Sequence, residues 1–336
     1  MSRESSYDVV IFDVNKTTED NWGVPHFTGS YADIRPLLDY TYHRMYHPKR
    51  VEVQDQLIAK YSKPKDNQEP LLPWVVFTAG AMGAGKGYVR EWLVNKGYWP
   101  LDRFVVVDPD AVRQDLPEWP EYVKHDAEKA GDMTQKEAGM IAELIGFAAL
   151  RDRQNVVFDG SLRDVKWYTD YFHRLRHNFP GIRIMILHIV ADRDTVLKRA
   201  EERGKKTGRV VPRETLIASM EATPKSVHAL SQMADFTIRI ENRTDADPAV
   251  VREPGAPHPP ESIPLSWDLF KNMWMDPDTD GDGRLSKEEI QHAICLGLLT
   301  ESVLQSVDFE NSGTISRDDI LQAKNAAKKA SQVKYR

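Results

Sequence analysis

An α/β fold, with a parallel sheet covered by helices on both faces and an all-α module after it, is what the sequence predicts. Three observations carry that expectation. From Trp74 onward short apolar runs alternate with helical stretches, the pattern that builds a buried parallel sheet. The first run, Val75-Val76-Phe77-Thr78, leads into a glycine loop, Gly80-Ala81-Met82-Gly83-Ala84-Gly85-Lys86. Beyond about residue 265 the chain becomes acidic and helical and carries two loops of alternating oxygen-bearing side chains.

Composition sets the bounds. The chain has 336 residues, 41% hydrophobic and 29% charged, enough for two or three domains with sizeable cores. A net charge of −6 gives no reason to expect a nucleic acid or an anionic membrane as partner. No apolar run is long enough for a membrane span, and MSRESSYDVV lacks the features of a signal peptide. The lone cysteine, Cys295, cannot form an intramolecular disulfide, so a reducing compartment, the cytoplasm, is expected.

In chain order, residues 7–14 (YDVVIFDV) read as a strand. Asp13 and Asn15 faintly resemble the start of a phosphatase site, but Asn15 lacks the second acid and a strand end is the better reading. Two helices are expected over 31–62, broken near Pro48, with Leu37, Leu38, Tyr42 and Met45 on one face and Val53, Leu57, Ile58 and Tyr61 on another. His43 and His47 stand a helical turn apart without the third ligand of a zinc site and read as structural. Residues 63–73, with Pro64, Pro70 and Pro73, form a linker.

Strands are then expected near 75–80, 103–108, 155–159, 182–190 and 235–240, and helices near 85–96, 133–152, 164–178, 192–203 and 213–222. A Pro-rich stretch, 244–265, reads as a semi-stiff linker. The expected domains are therefore 1–70, 71–243 and 266–336.

Strand, glycine loop and helix in that order make a phosphate site. Backbone N–H groups from Gly80, Ala81, Met82, Gly83, Ala84, Gly85, Lys86 and Gly87 turn toward the ligand, and the Lys86 ammonium reaches the outer phosphates. Gly87 stands where a Walker A loop usually places a Ser or Thr hydroxyl on Mg²⁺. A P-loop kinase-like sheet follows, and its ligands are expected beyond the carboxyl ends of the strands. Asp108 and Asp110 fall after one strand, and Asp159, Ser161 and Arg163 after another, with Asp159 expected to orient Mg²⁺. The basic run with Lys198, Arg199, Arg203 and Arg209 reads as a lid that closes cations onto phosphate.

The C-terminal loops follow EF-hand spacing. Asp278, Asp280 and Asp282, the Arg284 carbonyl and Glu289 supply Ca²⁺ ligands, with Gly283 at the sharp turn. In the second loop Asp308, Glu310, Ser312, Thr314 and Asp319 take the same places. Asp319 is one methylene shorter than Glu, so weaker Ca²⁺ binding or a preference for Mg²⁺ is expected. Both loops should pair into one lobe, docked on the kinase domain or on a partner protein.

These motifs together resemble the zeta-toxin family of P-loop kinases over roughly residues 70–245. The matching segments are Gly80 to Lys86, Val107-Asp108-Pro109-Asp110, Asp159-Gly160-Ser161-Leu162-Arg163 and Gly208-Arg209-Val210-Val211-Pro212. The resemblance implies an ATP-dependent kinase acting on a sugar hydroxyl; bacterial members phosphorylate UDP-N-acetylglucosamine. It also implies Asp110 as the base, Lys86 and Arg209 on the transferred phosphate, Arg199 or Arg203 as a second clamp, and Asp108, Ser161 and Arg163 near the acceptor. Gly87 departs from the family pattern, and Asp159 stands where the family has Glu. Fusion to the calcium loops suggests Ca²⁺ modulation. Two other readings are an ATP-binding Ca²⁺ sensor without turnover, and a nucleoside monophosphate or gluconate-type kinase.

Overall fold

A computed structural model describes residues 13–21, 26–207, 212–259, 261–307, 313–323 and 325. The elements in chain order are α1 (Pro48–Tyr61), β1 (Trp74–Ala79), α2 (Lys86–Asn95), β2 (Phe104–Val107), α3 (Pro109–Gln114), α4 (Trp119–His125), α5 (Ala130–Arg151), β3 (Asn155–Phe158), α6 (Val165–Asn178), β4 (Arg183–Val190), α7 (Arg193–Thr207), α8 (Arg213–Ser231), β5 (Phe236–Glu241), β6 (Ala249–Arg252), α9 (Trp267–Asn272), β7 (Arg284–Leu285), α10 (Lys287–Cys295), α11 (Glu301–Ser306) and β8 (Ile315–Ser316). They form two compact units, one of residues up to Ser62 with Val107–Ala148, the other of Lys63–Val106 with Ala149 onward.

The larger unit holds a six-stranded sheet in the order β2-β3-β1-β4-β5-β6. β1 lies parallel to β3 and β4, and β4 parallel to β5, as the alternating pattern predicts. Every residue of β1 is buried, and so is all of β4 up to His188 and Ile189, which is why these strands read as mostly apolar runs rather than alternating ones, broken only by Thr78, Arg183 and His188. β6 was not expected. It lies in the Pro-rich stretch read as a linker and pairs antiparallel with β5, Glu241 opposite Ala249. Glu253 just beyond it is buried and accepts from His188 Nδ1 at 2.8 Å, a tie from this segment to the sheet that composition did not reveal. Helix α8 also runs past its expected end through Pro224, held by the buried Val227 and Leu230 beyond the proline.

In the smaller unit, only one of the two helices expected over 31–62 forms. Residues 35–37 make a single 3-10 turn, and the Asp39 carboxylate accepts from Thr41 N at 2.9 Å, a local bond that competes with helix. Pro48 begins α1 instead of breaking it, since a proline at the first turn gives up no helical bond. The described part of this segment, with α1, meets α5 through buried charges. Arg50 donates to both oxygens of Glu137 at 2.7 and 2.8 Å, Gln54 donates to Glu137 at 2.8 Å, and His43 Nε2 lies 2.6 Å from Glu143. His47 accepts from Lys49 N at the head of α1, so the two histidines serve separate structural roles. The strand expected at 7–14 lies mostly outside the described residues, and Asp13 and Asn15 form a local turn.

Candidate active site

β1 carries the chain to Gly80, where φ is 152° and a Cβ would lie 2.5 Å from the carbonyl oxygen of Ile189 on β4. No side chain fits there, and the loop backbone runs directly over the neighbouring strand. Gly85, with φ 85°, sits at the N-cap of α2. Asn242, immediately after β5, donates from Nδ2 to Ala84 O at 2.8 Å, and its own N–H bonds Val190 O at 2.7 Å, so the loop is pinned to two strand ends. Lys86 Nζ donates to Gly80 O at 2.9 Å and so lies folded over its own loop.

Arg199, on α7, reaches the same place. A Cβ on Gly85 would be 3.1 Å from Arg199 Nη1, and that nitrogen is buried without a hydrogen-bond partner among the described residues. Two cationic heads therefore converge on one glycine loop, one of them with an unmet donor.

Asp159 follows β3, as expected, but its carboxylate is engaged. Thr78 at the end of β1 donates from Oγ1 to Oδ1 at 3.0 Å, and Arg90 Nη1 donates to Oδ2 at 2.5 Å, with both members of that ion pair mostly shielded from solvent. Arg90 lies one helical turn beyond Lys86 on the same face of α2. Gly160 N donates to Thr78 Oγ1 at 3.0 Å and Gly80 N to Ser161 O at 3.4 Å, tying this turn to the glycine loop. Ser161 thus contributes through its carbonyl, while Arg163 is exposed. Between them Leu162 is fully buried at φ 53°, a left-handed conformation that costs about 1–2 kcal/mol for such a residue.

In the smaller unit, Asp108, expected near the acceptor, caps a helix. Its Oδ1 accepts from Asp110 N at 2.9 Å and Ala111 N at 3.3 Å, at the start of α3. Asp110 extends from the first turn of α3 with its side chain 63% exposed, one oxygen held at 2.5 Å by the buried Arg113. Arg113 is in turn bonded to Gln135 on α5. The Asp110 carboxylate is thus oriented by a buried guanidinium while its side chain stays largely open to solvent.

The expected lid is described only in part. Arg203 lies on α7, and Arg209 falls outside the described residues, as does the side chain of Arg203.

At the C-terminus, the carboxylates of Asp278, Asp280 and Asp282 place oxygens within 4.8 Å of one another. The turn is set by N–H groups: Gly281 and Gly283 donate to Asp278, and Arg284 donates to Asp282. Burial raises the Asp278 carboxyl against the lowering effect of those bonds. Glu289 accepts from Ser286 and Thr279, and these bonds outweigh burial and hold its carboxyl down to about 2. Leu285 pairs with Ile315 across β7 and β8, and Asp319 caps its helix through Ser316 as Glu289 does through Ser286. Thr314 and Asp319 are described; Asp308, Glu310 and Ser312 lie outside the described residues.

This module and the sheet share one hydrophobic core, running from Leu72, Trp74 and Phe236 to Phe270, Leu285 and Ile315. Trp274 Nε1 donates to Tyr98 O at 2.8 Å, Trp74 Nε1 to Met273 O at 3.0 Å, and Leu71 N to Asp276 Oδ2 at 2.9 Å. Trp267 stacks on Tyr98 at 5.1 Å. The docking left open between the kinase domain and a partner protein is thus onto the sheet-bearing unit.

Residue-type reasoning passed over three side chains: Thr78, Arg90 and Asn242. Asn242 had a signal, since it stands at a strand's carboxyl end where the other candidates were sought. Arg90 also had one, its four-residue spacing from Lys86.

No curated protein sequence matches the chain. A solved structure of the PezAT chromosomal toxin-antitoxin system of Streptococcus pneumoniae matches with TM-score 0.51 and 17% identity, over 76% of this chain and 98% of the other, a likeness of fold. The crystal structure of AvrRxo1-ORF1:-ORF2 with ATP is more distant, with TM-score 0.42 and 13% identity over 70% of this chain and 76% of the other. The zeta toxin family model matches residues 58–248, more than half of the chain and all of the glycine-loop machinery, and the chain belongs to the zeta toxin family.

Proposed function

We propose that the chain is an ATP-dependent phosphotransferase that moves the γ-phosphoryl group to a hydroxyl of a small molecule. The observation that carries this reading is the convergence of Lys86 and Arg199 on the loop from Gly80 to Gly85, with Arg199 Nη1 lacking a partner among the described residues. Preorganised cations aimed at transferring phosphate supply most of the catalysis in this chemistry. In the reaction, the acceptor oxygen forms a bond to the γ-phosphorus as the bond to the β–γ bridging oxygen breaks. The hydroxyl proton passes to Asp110 and ADP leaves. Lys86, Arg199 and Arg209 stabilise the charge on the moving group. The resemblance assigns the roles of Asp110 and Arg209 and points to a sugar nucleotide such as UDP-N-acetylglucosamine as acceptor.

The calcium reading belongs here as well. We read the loop from Asp278 to Glu289 as a Ca²⁺ site, from its three converging carboxylates and turn glycines, and the loop ending in Asp319 as a weaker partner. Because the module's apolar face shares a core with the sheet, Ca²⁺ occupancy would act on nucleotide binding from within the same unit. Incubation with radiolabelled ATP and a panel of sugar nucleotides, nucleotides and sugars, with Ca²⁺ or with a chelator, tests both parts. Label transfer supports the reading. Failure of transfer to any acceptor at any Ca²⁺ level favours a second reading, an ATP-binding Ca²⁺ sensor without turnover, for which Gly87 is the motive.

A further inference from the structure

Mg²⁺ ordinarily accompanies ATP on a glycine loop, held by the Ser or Thr after the lysine and by a carboxylate at a neighbouring strand end. The residues here do not fit that pair of roles. Position 87 is glycine and has no hydroxyl to offer. Nothing lies within 4 Å of the point a Cβ would occupy there, so the hydroxyl is not missing for want of room. The carboxylate that remains, Asp159, has Oδ1 bonded by Thr78 and Oδ2 bonded by Arg90 at 2.5 Å. A divalent ion on Asp159 would have to displace a charge-assisted bond in a mostly shielded pair, with side-chain exposures of 25% and 17%.

Resting on the nucleotide reading of the loop, we infer that the Arg90 guanidinium takes the place of the divalent cation, so that the chain binds ATP without requiring Mg²⁺. Arg90 is fixed at both ends. Its backbone is in α2 one turn past Lys86, and its charged head is held on Asp159 beside the end of β1, the strand that delivers the glycine loop. A guanidinium carries several donors in a rigid fork, and the described residues take one of them, which leaves a bidentate face for phosphate oxygens. With Lys86 and Arg199, the loop then has three protein-borne positive charges to set against the triphosphate. Neutralising the carboxylate also removes the repulsion that Asp159 would exert on phosphate if it stood unpaired.

The experiment is ATP titration of the full chain by calorimetry, once with Mg²⁺ and once with EDTA, for the wild type, Arg90→Gln and Asp159→Asn. For the wild type the two dissociation constants should agree within about threefold. Arg90→Gln should bind at least about tenfold more weakly in EDTA, the scale of one lost charge-assisted bond, and recover with Mg²⁺. Asp159→Asn checks the pair from its other side and should keep Mg²⁺-independent binding through Arg90. A thermal melt of each variant confirms that it is folded. Wild-type binding that falls more than about tenfold in EDTA overturns the inference while leaving the nucleotide reading standing. So does an Arg90→Gln loss that is equal in both conditions. Absence of ATP binding in either condition by the wild type overturns the nucleotide reading and this inference together.

Discussion

Trp274 stacks on Trp99, with ring centroids 5.6 Å apart and planes 10° from parallel, and so joins the C-terminal module to the loop between α2 and β2. Phe104, Phe270 and Trp74 meet Trp274 edge-on at 5.5, 5.1 and 6.0 Å, an arrangement favoured by the ring quadrupoles. The module is held by an aromatic core and is not carried as a loose appendage.

Trp274→Ala should therefore destabilise the sheet-bearing unit by about 3–5 kcal/mol, since it opens a cavity in a shared core and removes the bond to Tyr98 O. Thermal unfolding should shift as one transition. An early, separate melting step for the module, with the remaining transition unmoved, would contradict the shared core.

Asn242→Ala should weaken ATP binding by about tenfold and cost about 1 kcal/mol of stability, because it frees Ala84 from the strand end that positions it. Calorimetry and chemical denaturation read the two effects. Unchanged ATP affinity would mean that the loop holds its shape without this anchor.

Arg50→Ala should be among the most damaging changes in the smaller unit, at about 3–5 kcal/mol. It strands Glu137, whose side chain has no solvent exposure, without its counter-charge. Arg50→Ala combined with Glu137→Leu should recover part of the loss in urea denaturation. No recovery would show that the pair is not energetically coupled.

Asp115 supplies a pH test. Hydrogen bonds from Lys60 and Tyr61 hold its carboxyl below the ordinary 3.8. The folded form therefore gains stability from the ionised group above pH 3.8, and that gain disappears as pH falls through the depressed value. Asp115→Asn should cost up to about 1 kcal/mol at pH 7, a modest figure because the pair with Lys60 is partly solvated, and should approach zero cost in acid. A cost that does not change with pH would point to geometry instead of charge.

The sheet was legible because β1 and β4 are buried on both faces and so are mostly apolar, with Thr78, Arg183 and His188 as the polar exceptions, and the glycine loop because Gly80 and Gly85 occupy conformations only glycine takes easily. β6 was not legible: an edge strand among prolines has little apolar signal, and its tie through Glu253 and His188 spans distant residues. The polar meeting of α1 and α5 was hidden for the same reason, since Arg50 and Glu137 look like surface charges until folding pairs them. The capping role of Asp108 was not legible, because a helix-capping aspartate and a substrate-binding one have the same residue type at the same strand end.

The central claim, phosphoryl transfer with Asp110 as base, is tested most directly by single-turnover consumption of bound ATP with acceptor present. Wild-type protein should transfer the γ-phosphate, and Asp110→Ala should reduce the rate by about 100-fold or more while ATP affinity stays within about threefold. An Asp110→Ala variant that turns over at the wild-type rate would contradict the account.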